Sequence, residues 1–235
     1  MNICRFFVIL IPMKLLLTSG GITNPTIAKA LLDLVGKKAE EITLVFIPTA
    51  ANASPNDKKW FINDLYNIKQ QGYKLIDIVD ISALPRNIWQ PRLEVADVLF
   101  FSGGITPHLM RWIKESGLEE LLPEFLKTKV WVGISAGSMV VTPTLELTSE
   151  KHLLFYKEKF GYDLKEGLGY VDFYFRPHLN SPGKPESQKE FLKKFAKKIP
   201  QVLYALDDQM ALRVVDGKVE IIGEGEYLVF NQKDI

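Results

Sequence analysis

Ser135 stands in the string Gly133-Ile134-Ser135-Ala136-Gly137, directly after a strand expected at 129–134. A G-x-S-x-G segment at a strand-to-helix junction is a nucleophile elbow, a tight turn that strains the serine backbone and lifts its hydroxyl above the sheet. Small flanking residues permit the turn and leave the amide after the serine, on Ala136, free to hold an oxyanion. The chemistry this predicts is acyl transfer through a serine ester. An inert glycine-rich turn would read the same as a string, and the position after an apolar strand favours the nucleophile.

A serine nucleophile needs a base, and the chain has three histidines. His108 follows Pro107 in the first turn of an expected helix, where a solvated surface position is the simplest reading. His152 follows Lys151 in a polar stretch and reads as an exposed loop residue. His178 ends the apolar run that begins at Val171, which puts it at a strand terminus, the edge where doubly wound sheets gather their sites. It is the expected base, with a backbone-satisfied structural histidine as the alternative. The third member should be a carboxylate that fixes the imidazole tautomer. Asp207 and Asp208, after a strand expected at 202–206, form one candidate site and Glu150 another. Adjacent aspartates at a strand end are also common turn formers. The order Ser135, His178, Asp208 disfavours an α/β-hydrolase, which places its acid between serine and histidine.

The elements that must position these groups alternate along the chain. Apolar strands are expected at 14–18, 42–47, 75–79, 98–101 and 129–134. Helices intervene, one opened by Asn24-Pro25 and ending near Gly36, one capped by Ser54-Pro55 and stopped by Gly72, and one starting at Thr106-Pro107. Strands that are apolar throughout, separated by amphipathic helices, imply a buried, mostly parallel, doubly wound sheet with helices on both faces. Further strands are expected at 171–175 and 202–206 around a helix at 186–198. Asp216-Gly217 turns a C-terminal β-hairpin between 211–215 and 219–222. Without repeats or linkers, residues 13–235 read as a single α/β domain. The run within residues 1–12 is shorter than the about 20 apolar residues of a transmembrane helix and is interrupted by Pro12. A signal peptide is the alternative, but its cleavage near Thr18-Ser19-Gly20-Gly21 would delete the first strand. Residues 1–12 therefore read as a dispensable extension before the strand that Met13 opens.

Composition narrows the classes. With 29 Lys plus Arg against 28 Asp plus Glu, the surface has no excess positive charge to track phosphates, so no nucleic-acid partner is expected. A single cysteine, Cys4, excludes an intrachain disulfide and a cysteine zinc site. No metal, cofactor or membrane partner is expected, and a cytoplasmic location is.

Five segments carry a family resemblance: Leu15-Leu16-Leu17-Thr18-Ser19-Gly20-Gly21, Phe46-Ile47-Pro48-Thr49-Ala50, Phe101-Ser102-Gly103-Gly104-Ile105-Thr106, Gly133-Ile134-Ser135-Ala136-Gly137-Ser138, and Glu166-Gly167-Leu168-Gly169 up to Pro177-His178. From about Met13 onward the chain resembles the dipeptidase E branch of the serine peptidases related to cyanophycinase. The resemblance implies a class I glutamine amidotransferase-like sheet with serine in place of the amidotransferase cysteine. It implies Ser135 as nucleophile, His178 as base, and the amides of Gly104 and Ala136 as the oxyanion hole. For the acid it offers two positions. One lies fifteen residues past the serine, at Glu150. The other is the acid of a Leu-x-Glu-Gly segment, which aligns with Leu206-Asp207-Asp208-Gln209 and points to Asp208. Aspartyl dipeptidases of that family carry a substrate-reading arginine in a Gly-Glu-Thr-Arg segment. The aligned stretch here is Pro185-Glu186-Ser187-Gln188, so Gln188 stands in the arginine's place, with Lys184 and Arg176 as cations that could compensate. The expectation is a serine peptidase acting on dipeptides or other small peptides. An esterase or amidase on the same site, or a non-catalytic ligand-binding member of the fold, are the alternatives.

Overall fold

A computed structural model describes residues 13–53 and 55–232. The extension expected at residues 1–12, and Ser54 as a helix cap, lie outside the described residues. The chain runs through β1 (Lys14–Thr18), α1 (Pro25–Val35), β2 (Thr43–Ile47), α2 (Thr49–Asn52), α3 (Lys59–Gln70), β3 (Leu75–Ile78), α4 (Arg86–Glu94), β4 (Val98–Phe101), α5 (Thr106–Glu115), α6 (Leu118–Phe125), β5 (Val130–Ile134) and α7 (Ala136–Met139). It continues through α8 (Glu150–Phe160), β6 (Tyr174–Arg176), α9 (Lys189–Ala196), β7 (Leu203–Leu206), β8 (Met210–Val215), β9 (Lys218–Gly223) and β10 (Tyr227–Phe230).

Local chemistry sets several of these boundaries. The Asn24 side chain accepts a hydrogen bond from the Ile27 amide, Pro25 fills the first turn of α1, and Gly36 closes it in the left-handed region at φ 74°. Helix α3 starts at Lys59, four residues later than the Ser54-Pro55 pattern suggests. The preceding chain is taken up by α2, whose Thr49 and Asn52 side chains donate to the Asp80 carboxylate after β3. Helices α4 and α6 escape a sequence reading because each contains a proline, Pro91 and Pro123, which normally marks a helix boundary.

Seven strands form the main sheet in the order β3-β2-β4-β5-β1-β8-β9. The first five are parallel, and β8 and β9 add antiparallel as the expected hairpin. Side chains alternate between its faces. On one side Leu16, Leu44, Phe46, Phe100, Val132 and Ile134 pack against α1 and α3. On the other, Leu15, Leu17, Val45, Ile47, Leu99, Phe101 and Trp131 pack against α4, α5 and α6. Each such fully buried side chain contributes roughly 1.5–3 kcal/mol relative to exposure, so the central strands β4, β5 and β1 are rigid supports. The fold is the doubly wound α/β arrangement expected.

Strands β6 and β7 pair in parallel with each other, and β10 joins antiparallel to β7, in a separate three-stranded sheet. The strand expected at 171–175 is cut back to β6. Upstream, the amides of Leu168, Gly169 and Tyr170 donate to the carbonyls of Val140, Thr142 and Val141, so that stretch is tied to the segment after α7 and has no strand partner.

Candidate active site

Ser135 leaves the carboxyl end of β5, between the ends of β4 and β1, where open α/β sheets gather their ligands. Its backbone sits at φ 48°, ψ −98°, a conformation that costs of order 1–3 kcal/mol in a non-glycine residue and must be held by its surroundings. Several bonds hold it. The Ser135 amide donates to the Thr18 carbonyl at 3.0 Å, and the Ser138 hydroxyl lies 2.8 Å from both Thr18 O and Gly133 O. The indole of Trp131 donates to Gly137 O at 3.1 Å. The two glycines of the motif are steric necessities. A Cβ on Gly133 would sit 2.4 Å from the Gly137 carbonyl, and one on Gly137 would sit 2.3 Å from Phe101 O.

Beside the serine runs the loop after β4. A Cβ on Gly103 would lie 3.6 Å from Ser135 Cβ. Gly104 takes φ +136°, and a Cβ there would lie 2.1 Å from Ala50 O, so only glycine fits. Ile105 donates to that same carbonyl at 2.9 Å, which pins the loop onto α2. Among the described residues no backbone acceptor takes the amides of Gly104 or Ala136.

His178 follows β6 and is also in the left-handed region, at φ 61°. Its Nε2 lies 2.9 Å from Ser135 Oγ, and its Nδ1 lies 2.6 Å from Asp208 Oδ1. Ser19 joins both partners: its hydroxyl donates to Asp208 Oδ1 at 2.8 Å and accepts from the His178 amide at 2.7 Å. The β1–α1 loop grips the Asp208 turn further through Thr23, which donates to Asp208 O, and Asn24, which donates to Gln209 O. Gly20 permits that approach, since a Cβ there would lie 2.9 Å from Asp208 Cβ. Burial pushes the Asp208 carboxyl up, but the bond to His178, the charge of His178, the Ser19 hydroxyl and Lys184 outweigh it and hold the group below its ordinary value. Sequence reasoning missed the bracing role of Ser19. A serine directly after an apolar strand and before Gly-Gly was the available signal.

The other candidates fall elsewhere. Glu150 opens α8 on the exposed surface, where its amide donates to Glu186, and it has no bond to His178. Asp207 behaves as a turn former, accepting from the amides of Gln209 and Glu226. The Gln188 amide donates to the carbonyls of Ser181 and Lys184, bracing its own loop. Arg176 is buried and occupied: it donates to Ser187 Oγ and Leu147 O and pairs with Glu186. Burial lowers it to about 10, so it stays charged. Lys184 acts on Asp208 through its charge, more weakly than His178 does.

Two histidine expectations are corrected. His108 is buried rather than solvated, with its Nδ1 3.2 Å from the Tyr156 hydroxyl and its ring edge-on to Trp112. Burial lowers it to about 4, because α8 covers the first turn of α5. His152 is on helix α8 and half-buried, not in an exposed loop. Burial, then the charges of Lys184, Lys151 and Arg176, lower it as well. Among the described residues no group of three His, Cys, Asp or Glu side chains is placed to hold a metal ion. No helix among them is long and apolar enough to cross a membrane.

The family profile for peptidase family S51 matches residues 15–222, which span the elbow, the Gly103-Gly104 loop, His178 and Asp208. The chain belongs to peptidase family S51. It is therefore a serine-type peptidase. This S51 peptidase is 25% identical over 194 residues to an uncharacterized peptidase of Pasteurella multocida, covering 81% of this chain and 89% of that protein. It is 27% identical over 147 residues to peptidase E of Streptomyces coelicolor, covering 60% of this chain and 58% of that protein. A crystal structure of a candidate peptidase E from Listeria monocytogenes shares its fold with a TM-score of 0.72 at 21% identity, over 91% of this chain and 100% of that one. A peptidase from an acI-B1 actinobacterium aligns with a TM-score of 0.61 at 19% identity, over 93% of this chain and 97% of that one.

Proposed function

We propose that this S51 peptidase hydrolyses dipeptides or short peptides through an acyl-enzyme on Ser135. The observation that carries the reading is the continuous relay from Ser135 Oγ to His178 Nε2 at 2.9 Å and from His178 Nδ1 to Asp208 Oδ1 at 2.6 Å. With Asp208 ionised, the imidazole proton resides on Nδ1, and Nε2 is left to accept the serine proton. Ser135 then attacks the scissile carbonyl. The free amides of Gly104 and Ala136 receive the developing oxyanion, at no cost in reorganisation because both loops are already fixed. His178 passes the proton to the leaving amine. Water, deprotonated by His178, then cleaves the ester and restores the serine.

Substrate choice follows from the cations near the site. Gln188 is neutral and braces its loop, and Arg176 is occupied inside the protein. Neither offers a free guanidinium fork for a substrate carboxylate, so we read the enzyme as having no strong preference for an N-terminal aspartate.

A fluorophosphonate probe tests the mechanism. Wild type should label and Ser135→Ala should not, with turnover of a dipeptide panel falling by about 10⁴-fold or more. Undiminished hydrolysis by the folded variant would overturn the mechanism. Absence of labelling in wild type would favour a non-catalytic ligand-binding protein, and turnover of esters alone would favour an esterase.

A further inference from the structure

Asp64 is a carboxyl that the mechanism above does not use, set beside the Gly20-Gly21 turn and within electrostatic reach of Asp208. It lies on α3 one turn beyond Trp60, so both side chains share a helix face. The Trp60 ring approaches within 3.5 Å of the point a Cβ on Gly103 would occupy, and that point is 3.6 Å from Ser135 Cβ. Asp64 Oδ1 lies 3.7 Å from the point a Cβ on Gly21 would occupy. Ile134, the residue before the serine, comes within 3.2 Å of that same point. A side chain at 21 would press on Ile134 and meet Asp64, so glycine keeps that point clear, while Gly20 faces Asp208.

Within the described residues the Asp64 side chain makes no hydrogen bond or ion pair, and its Oδ2 is shielded from solvent without a partner. A carboxylate so placed is costly to bury, and burial followed by the charge of Asp208 raises it to about 7. A cationic ligand would remove that cost. The substrate class of the preceding section supplies one. A dipeptide with a free amino terminus carries its ammonium about 2.5 Å from the scissile carbonyl carbon, so the counter-ion must stand close to Ser135. Asp208 is engaged by His178 and Ser19.

We propose that Asp64 is the anionic anchor for the α-ammonium group of the substrate. The proposal rests on the reading of Ser135 as nucleophile toward short peptides. In it Asp64 forms a charge-assisted hydrogen bond with the ammonium, and Trp60 walls the side of the subsite toward Gly103.

The test compares three aminoacyl coumarin amides that differ only at the amine: free, N-acetylated and desamino. Wild type should prefer the free amine. Asp64→Asn should lower kcat/KM for the free amine by about 10–100-fold, chiefly through KM, the range expected for losing one hydrogen bond to a charged group. The desamino substrate should change by less than about threefold, and Asp64→Glu should restore part of the loss. Fluorophosphonate labelling, which involves no amine, should stay at the wild-type rate in Asp64→Asn. Equal losses on all three substrates, or slowed labelling, would make Asp64 a structural residue and overturn the anchor. Equal turnover of all three by a wild-type enzyme that labels normally would overturn the anchor alone. A wild type that neither labels nor turns over any substrate would overturn the reading of Ser135, and the anchor with it.

Discussion

Replacing Asp64 with asparagine should stabilise the protein by an amount that depends on pH. In the fold, burial and then the charge of Asp208 raise this carboxyl from 3.8 to about 7. In the unfolded chain it titrates near its ordinary value. Between the two values the unfolded state has released the proton while the folded state still holds it. Wild type therefore loses stability through this group as pH rises from about 4, and the loss is complete above about 7. At about 1.4 kcal/mol per pH unit the ceiling is about 4 kcal/mol. Relaxation around the charge lowers that figure, and a third of it is still measurable. Asparagine keeps the shape and carries no charge, so it escapes the penalty at every pH. For a chain of this size 1 kcal/mol moves Tm by about 2–4 °C. Calorimetric melts at constant ionic strength should show the variant above wild type by about 3 °C or more at pH 8, and by about 1 °C or less at pH 4. A difference of the same size at both pH values would refute the reasoning, and so would a variant less stable than wild type at pH 8.

Other measurements bear on the site. Asp208→Asn should lower kcat by about two to four orders of magnitude by losing the correct imidazole tautomer, whereas Glu150→Gln should stay within about threefold; the reverse ranking would transfer the acid role to Glu150. Ser135→Gly should abolish turnover yet raise stability by about 1 kcal/mol in chemical denaturation, because glycine relieves the strained backbone; a less stable variant would show that the serine side chain stabilises the elbow more than its conformation costs. Matched Asp-, Asn-, Ser- and Leu-led dipeptide amides should differ by less than about a hundredfold in kcat/KM, and a larger preference for aspartate would show that Lys184 or another cation has replaced the missing arginine.

The sequence alone determined the layered α/β plan, because the central strands are buried on both faces and are apolar along nearly their whole length. It also marked the elbow, since Gly133 and Gly137 each sit where a Cβ would strike backbone, and local sterics are written in local sequence. His178 was legible as a candidate base for a related reason: it ends an apolar run, and strand ends are where this architecture gathers polar side chains. The candidate acid was legible only in part: Asp208 was preferred over Glu150 because it follows a strand, and type and spacing did not separate it from Asp207. Asp207 and Asp208 are neighbours of the same type, and their roles divide only because one turn aims Asp207 at the Gln209 and Glu226 amides and Asp208 at His178. That division depends on the β1–α1 loop, almost 190 residues away in the chain, whose Ser19, Thr23 and Asn24 hold the turn. His108 read as solvated because nothing nearby in sequence announces that α8 will cover it. Asp64 carried no signal in the sequence, and only the packing of α3 beside Gly21 leaves it half-buried there. Short-range sterics and hydropathy periodicity are properties of neighbouring residues. A side chain's partners across the sheet are set by the packing of the whole chain.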